Sequence, residues 1–165
     1  MATATYTPIA SQTLGSAAAS ITFSSIPGTY TDLRLVLTGA TSVGGDALVL
    51  QFNADTATNY SSTILSGYGS SASSSSYLST PSLRLWINYS SSTTIPGFVS
   101  VDLFSYAGST NKTLLATTSD DQNGSGTVEL IAGLWRSTSA ITSIKVFLVN
   151  ANNFNTGTIA TLWGI

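Results

Sequence analysis

Hydrophobic and polar residues alternate with a period of two along most of this chain. Across residues 83–89, apolar or aromatic side chains at the odd positions alternate with Arg84, Trp86 and Asn88. Successive side chains of a β-strand point to opposite faces, so this pattern is typical of a strand with one buried and one exposed face. No stretch repeats apolar residues at the spacing of an amphipathic helix. The sequence therefore predicts an all-β protein.

The alternation predicts about nine strands, separated by turn-forming residues such as Pro27-Gly28. They are expected at residues 19–24, 32–38, 48–53, 83–89, 98–104, 112–118, 127–135, 143–149 and 158–163. The Gly44-Gly45 pair predicts a hairpin between the second and third of them. Residues 98–104 are apolar on both faces, which predicts a central strand covered on both sides. Short strands at this spacing favour an antiparallel β-sandwich with a jelly-roll-like topology.

Two segments lie outside this alternation. Residues 1–12 are rich in Ala and Thr, and we expect them to form an extended arm that reaches a neighbouring molecule, ahead of a single β-sandwich domain at residues 13–165. The serine-rich segment Gly67–Ser79 has few apolar side chains to offset the entropy cost of ordering, so it is expected to be a surface loop.

Composition removes most of the groups that enzymes use. The chain has 28 serines and 25 threonines, but it has no histidine, no cysteine and only seven carboxylates. A serine nucleophile needs a base, and a metal site needs several ligands of the missing types. The adjacent Asp120 and Asp121 lie in a polar turn, where such residues usually cap or contact solvent. We therefore expect no enzyme activity, no catalytic residues, no cofactor and no metal.

Charge narrows the range of partners. The formal net charge is −2, and the five basic residues are scattered along the sequence, so nucleic-acid binding is not expected. No apolar run is long enough to cross a membrane, and residues 1–10 do not resemble a signal peptide. We expect synthesis in the cytoplasm. A β-rich surface with few charges lacks the usual protection against association, which predicts a protein that works inside an assembly.

Aromatic side chains on polar faces are the best candidates for that contact. Trp86 lies between Arg84 and Asn88 on the polar face of its strand, which suits an interface anchor or a platform for stacking on a sugar. The alternative is that a second layer covers these side chains as ordinary core. The candidate subunit-contact residues are Arg84, Trp86, Asn88, Tyr68, Tyr77, Trp135 and Arg136.

Several segments resemble small virion structural proteins of tailed bacteriophages. They are Ile21–Leu33, Leu48–Asn53, Asn59–Ser61 and the final strand Ala160–Ile165. Similar chains serve as capsid decoration or cement proteins, and others belong to tail fibres or baseplates. The resemblance implies a structural protein on the capsid surface that binds the major capsid protein or other virion subunits, as a homo-oligomer and most simply a trimer. The alternative that it leaves open is a receptor-binding or carbohydrate-binding module that recognises a host surface glycan.

Overall fold

The computed structural model describes residues 5–89 and 93–165, apart from the side chains of residues 86–89. Within these ranges the chain forms twelve strands and no helix, so none of the described residues belongs to a membrane-spanning helix. The strands are β1 (Thr7–Thr13), β2 (Ser20–Phe23), β3 (Leu33–Gly39), β4 (Asp46–Phe52), β5 (Tyr60–Tyr68), β6 (Ser71–Thr80), β7 (Leu83–Tyr89), β8 (Gly97–Phe104), β9 (Lys112–Asp120), β10 (Thr127–Trp135), β11 (Ile144–Leu148) and β12 (Ile159–Gly164).

The strands form two antiparallel sheets that pack face to face. The larger sheet has eight strands in the order β1-β12-β3-β8-β9-β10-β5-β6, and the smaller has four in the order β2-β11-β4-β7. This architecture is an all-β, jelly-roll-like sandwich, which confirms the predicted fold class. Its outer edges are β1 and β6 in the large sheet, and β2 and β7 in the small sheet.

The core lies between the inner faces of the two sheets. Along β3, Leu33, Leu35 and Leu37 point inward and are at most 1% exposed, whereas the residues between them face outward. The small sheet contributes residues such as Leu48 and Leu50, which are fully buried. Burying a leucine completely stabilises the fold by about 2 kcal/mol. The period-two pattern therefore corresponds to a single shared core.

Strand β8 occupies the centre of the large sheet, between β3 and β9, as predicted. Its outer side is open, however, because Phe98 is 40% exposed and Phe104 is 43% exposed. The expectation that both faces of this strand are covered was wrong. The second sheet covers only the inner face, and the outer face of the large sheet contacts no other layer among the described residues.

The Gly44-Gly45 segment does not close a hairpin. Strand β3 belongs to the large sheet and pairs with β8 and β12, while β4 belongs to the small sheet and pairs with β7 and β11. The chain therefore crosses between the two layers at this point. Leu35 and Leu48 still both face the core, because each sheet directs its apolar face toward the other.

The serine-rich segment is a strand instead of a loop. Strands β5 and β6 form a hairpin in which Leu65 pairs with Ser74 and Gly67 with Ala72, and the turn contains Gly69 with a φ of 55°. Backbone hydrogen bonds to β5 hold β6 in place. An edge strand that buries neither face completely needs no apolar alternation, which is why the pattern missed it.

The N-terminal segment also differs from the expectation of a free arm. Residues Thr7–Thr13 form β1 and pair with β12 of the same chain, from Thr7 opposite Gly164 to Thr13 opposite Ile159. Backbone hydrogen bonds to β12 make this part of the segment the edge of the large sheet, and its contact with a neighbouring molecule stays a prediction. The prediction for residues 1–4 lies outside the described residues.

Candidate interaction surfaces

The outer face of the large sheet has almost no charge. All eight strands of this sheet are described, and Lys112, Asp120 and Glu129 lie on its inner side, where they are buried. The charged side chains that remain on the outer side are Arg34 and Asp102. These two form a salt bridge, so the face as a whole carries hydroxyl and apolar groups with no net charge.

Three exposed apolar side chains lie together toward one end of this face, on β5 and β10. Leu65, Val128 and Leu130 are 54%, 60% and 45% exposed, respectively, and we call them the apolar patch. Leu65 and Leu130 are direct cross-strand neighbours. A shallow groove of about 300 Å³ lies beside them, between β5, β6 and β10. Exposed apolar clusters of this kind mark contact sites on soluble proteins.

The apolar patch borders the free edge of β6. This strand is ten residues long, contains no charged residue and no proline, and has β5 as its single neighbour in the sheet. Natural edge strands usually carry charges, prolines or bulges that prevent further pairing, and β6 has one bulge, near its end between Tyr77 and Thr80. The outward N–H and C=O groups of the regular part of β6, residues 71–77, are therefore suited to pair with a strand from another molecule.

A second surface feature, the aromatic pocket, lies at the opposite end of the face. It has a volume of about 330 Å³ and is lined by Tyr6, Arg34 and Trp163. Tyr6 precedes β1, Arg34 lies on β3, and Trp163 lies between them on β12, where it pairs with both Pro8 and Arg34. Pairing of the first and last strands thus brings the two aromatic side chains together around one guanidinium group.

Hydrogen bonds fix the polar side of the aromatic pocket. Arg34 donates from Nε to Asp102 Oδ1 and from Nη2 to Asp102 Oδ2, both at 2.6 Å. Its Nη1 donates to the Tyr6 hydroxyl at 2.9 Å, and the guanidinium carbon lies 5.3 Å from the centre of the Tyr6 ring. The hydrogen bond to Asp102 is the main reason why the pKa of Arg34 is raised. The Trp163 indole donates to Thr161 Oγ1 at 3.0 Å.

Two of the predicted contact residues lie together at the open edge of the sandwich. Arg84, on β7, places its guanidinium carbon 4.5 Å from the centre of the Tyr77 ring on β6, so the pair links the edges of the two sheets. Tyr77 is partly buried and packs on the core. Leu83 and Leu85 are fully buried and Arg84 is not, so the predicted alternation holds over these three residues, and the pairing of β7 with β4 shifts register beyond Arg84.

The remaining predicted contact residues do not lie together. The side chains of Trp86 and Asn88 lie outside the described residues, so the prediction for them stays a prediction. Tyr68 is 59% exposed at the turn end of β5. Arg136 is exposed at the end of β10 and donates from Nη2 to the Thr58 carbonyl at 2.6 Å. The structure therefore brings Arg84 and Tyr77 together and does not join Tyr68 or Arg136 to them.

Trp135 is a core residue, so its assignment as a subunit contact was wrong. It is 2% exposed, and its ring packs against Phe52 and Tyr60 with centroid distances of 5.5 and 6.2 Å. The indole Nε1 donates to Asp55 Oδ2 at 2.7 Å. Together with the hydrogen bond from Asn59, this bond lowers the pKa of Asp55. Trp135 lies at an inward position of β10, on the opposite side from Leu130.

The ionisable side chains of Lys112, which is buried, and Asp121, which lies in a turn, have structural roles. Lys112 is 2% exposed and donates from Nζ to the carbonyls of Gly108 and Thr110, and burial lowers its pKa. Asp121 Oδ1 accepts a hydrogen bond from the Gly124 amide at 2.9 Å, as expected for a turn-capping residue. Among the described residues, no three acidic, histidine or cysteine side chains are grouped as metal ligands would be.

The sequence reasoning missed the residues of both surface features, although a signal for each was present. Trp163 alternates with Leu162 on its strand in the same way that Trp86 alternates with Leu85. Strand β10 carries apolar residues at both odd and even positions, and Leu130 and Val128 are the ones that face solvent. An apolar residue at an outward position of a half-buried strand is the signal that could have identified the apolar patch.

Comparisons with known proteins add little to this description. No protein-family model and no curated protein matches the chain. Among solved structures, the chain is similar to galectin LEC-6 from Caenorhabditis elegans, with 10% sequence identity and a TM-score of 0.38. That alignment covers 93% of this chain and 94% of the galectin.

Proposed function

We propose that this chain is a non-enzymatic virion structural protein of a tailed bacteriophage, and specifically a capsid decoration or cement protein. The observation that carries the proposal is the apolar patch beside the uncharged edge of β6. The sequence resemblance supplies the virion context, and the scarcity of catalytic side chains supports a structural role. In this proposal the patch and the edge contact the major capsid protein or another virion subunit.

The patch can supply a useful contact energy without distorting the fold. Each of its three side chains is about half exposed or more, so covering one removes apolar area worth about 1 kcal/mol. A strand added to β6 would satisfy backbone groups along the regular part of that edge, residues 71–77. A single contact of this size is weak after the entropy cost of association. Many copies that bridge neighbouring capsomers would hold together much more strongly.

Cosedimentation of purified protein with undecorated capsids tests this proposal. Leu130→Lys places a charge in the patch, and we expect at least about tenfold weaker binding, because a buried unpaired charge is costly. Val149→Lys is the matched control: Val149 is 44% exposed and Leu130 is 45% exposed, but Val149 lies after β11, away from the patch. Both variants should melt close to the parent. Equal binding of Leu130→Lys and parent would contradict the proposed contact, and no binding by the parent would contradict the decoration role.

The same low charge leads us to propose self-association, with a trimer as the expected form. Light scattering on the purified protein measures the oligomer mass directly. Exposed uncharged edges such as β6 favour pairing between copies, and virion proteins of this type commonly associate around threefold axes. A monomeric mass at high micromolar concentration would contradict self-association and leave binding to other virion subunits as a separate result of the capsid assay.

The second candidate is a receptor-binding or carbohydrate-binding module of a tail fibre or baseplate. The aromatic pocket is the observation that favours it, because exposed aromatic rings beside polar groups suit a sugar. Imaging of the assembled particle separates the two roles, since a decoration protein lies on the capsid shell and a receptor-binding module lies on the tail.

A further inference from the structure

The aromatic pocket combines an apolar wall with hydrogen-bonding groups that retain unused capacity. Tyr6 is 42% exposed, and the side chains of Arg34 and Asp102 are 35% and 25% exposed, so a ligand can reach all three. A guanidinium group has five N–H donors, and Arg34 uses three of them on Asp102 and Tyr6. Each Asp102 oxygen accepts one hydrogen bond from Arg34 and can accept another.

We propose that this pocket binds one ring of a neutral sugar. The ring would lie against the Trp163 indole, with the Tyr6 ring at its side, because the C–H face of a pyranose is apolar and packs well on an aromatic surface. Neighbouring hydroxyls of the sugar would accept from the remaining Arg34 N–H groups and donate to Asp102. Each sugar hydroxyl both donates and accepts, which matches a site where donors and acceptors lie side by side.

Other ligand classes fit these groups less well. The charges of Arg34 and Asp102 cancel in a bidentate salt bridge, so the pocket has no net attraction for a phosphate or an ammonium group. An apolar side chain from a protein partner could fill the space. It would also cover the free donors and acceptors of Arg34 and Asp102 without giving them partners, which is unfavourable. The mixture of aromatic and polar groups therefore favours the sugar.

The sugar site and the proposed subunit contact occupy different parts of the outer face. Trp163 and Arg34 lie on β12 and β3, whereas Leu130 and Leu65 lie on β10 and β5, separated from β3 by β8 and β9. With about 4.8 Å between neighbouring strands, Arg34 and Leu130 are about 14 Å apart across the sheet. Both sites can be filled at the same time, so the sugar proposal does not rest on the decoration role.

Saturation-transfer NMR on the full chain tests the proposal with methyl glycosides of glucose, galactose, mannose and N-acetylglucosamine. At millimolar sugar, we expect transfer to the ring protons of at least one of them, with a matching shift of the Trp163 indole N–H signal, assigned through Trp163→Phe. Single-ring sugars bind weakly, with dissociation constants of about 1 mM or more. If none of these sugars shows transfer or moves the indole signal at about 50 mM, the proposal is wrong.

Three variants locate the binding. Trp163→Ala should weaken it at least about tenfold, and Tyr6→Ala should do so without affecting the fold, because Tyr6 precedes β1 and is well exposed. Tyr68→Ala is the control, since it removes an exposed aromatic ring from the far part of the sheet. Binding that survives Tyr6→Ala and Trp163→Ala would overturn the assignment of the pocket. Protection of Trp163 by capsids, with no sugar binding, would assign the pocket to a protein contact instead.

Discussion

Replacing Tyr60 by phenylalanine removes one hydroxyl from the centre of the core. Tyr60 is fully buried, and its hydroxyl accepts a hydrogen bond from the Phe52 amide at 3.0 Å. The same hydroxyl lies 3.1 Å from the Asp55 carbonyl and 3.3 Å from the Phe52 carbonyl, so its proton has a partner as well. Strand β4 ends at Phe52, and this hydroxyl therefore satisfies the backbone where the strand stops.

The expected loss follows from the group that is left behind. Phenylalanine keeps the contacts of the ring with Phe52 and Trp135, but it leaves the Phe52 amide without an acceptor in a buried place. An unsatisfied buried donor costs about 1–3 kcal/mol. We therefore expect Tyr60→Phe to lower the free energy of unfolding by about 2 kcal/mol. For a chain of this size, that corresponds to a melting temperature lower by about 4–8 °C.

Alkaline pH provides an independent test of the same residue. Burial raises the pKa of Tyr60 to about 12, whereas a tyrosine in the unfolded chain has a pKa of about 10. Its contribution to stability is complete below pH 10 and is lost as the pH rises toward 12, because the unfolded chain ionises first. The stability difference between parent and Tyr60→Phe should therefore shrink by about 2 kcal/mol over this range and nearly disappear at pH 12, at 1.36 kcal/mol for each pKa unit.

Urea unfolding at pH 7, and at steps from pH 9 to pH 12, measures both effects. Tyr68→Phe is the control, because Tyr68 is 59% exposed and its hydroxyl should contribute less than about 0.5 kcal/mol. If Tyr60→Phe unfolds at the same urea concentration as the parent at pH 7, the Phe52 amide has found another acceptor. A stability difference that stays constant up to pH 12 would show that the buried hydroxyl does not resist ionisation.

Two further substitutions test the packing around this region. Asp55→Ala removes the acceptor of the Trp135 indole and should lower the free energy of unfolding by about 1 kcal/mol at pH 7. Because the pKa of Asp55 is lowered in the fold, this contribution should disappear as the pH falls below about 4 and through the folded pKa. A difference between variant and parent that persists in acid would contradict this. Gly133→Ala places a Cβ 2.7 Å from Leu83 Cδ1 and should lower the stability measured by thermal unfolding by about 1–3 kcal/mol. The control is Gly15→Ala, where a Cβ meets nothing within 4 Å and no such loss is expected. Equal melting of the two variants would show that the core accommodates the methyl group.

The strands that could be predicted from the sequence are those that bury one whole face. In β3 and β9 every second residue is buried, so the alternation of the sequence follows the alternation of the structure. Strands β1 and β6 lie at sheet edges, where neither face is fully covered, and their sequences lack the pattern. Pairing with neighbours that are distant in sequence or joined by a short turn makes them strands, and local propensity does not show this.

The surface features depended on pairings that the sequence does not reveal. Tyr6 and Trp163 are almost the whole chain apart, and they meet because β1 pairs with β12. Trp135 was misassigned because its inward position on β10 depends on register, and one residue of register separates the core from the surface. The hairpin expected at Gly44-Gly45 failed for a similar reason, since a turn signal does not specify whether the next strand joins the same sheet.

The order of strands in the two sheets has a consequence for the growing chain on the ribosome. Strand β12 lies between β1 and β3, and β11 lies between β2 and β4. Each of the first four strands therefore has one partner that is far away in the sequence and is synthesised late. The hairpin β5–β6 and the meander β8–β9–β10 can form as soon as their strands are synthesised. Neither sheet is therefore complete until β11 and β12 have been made. Because such long-range pairing is slow, the newborn chain is most vulnerable to aggregation before β11 and β12 emerge.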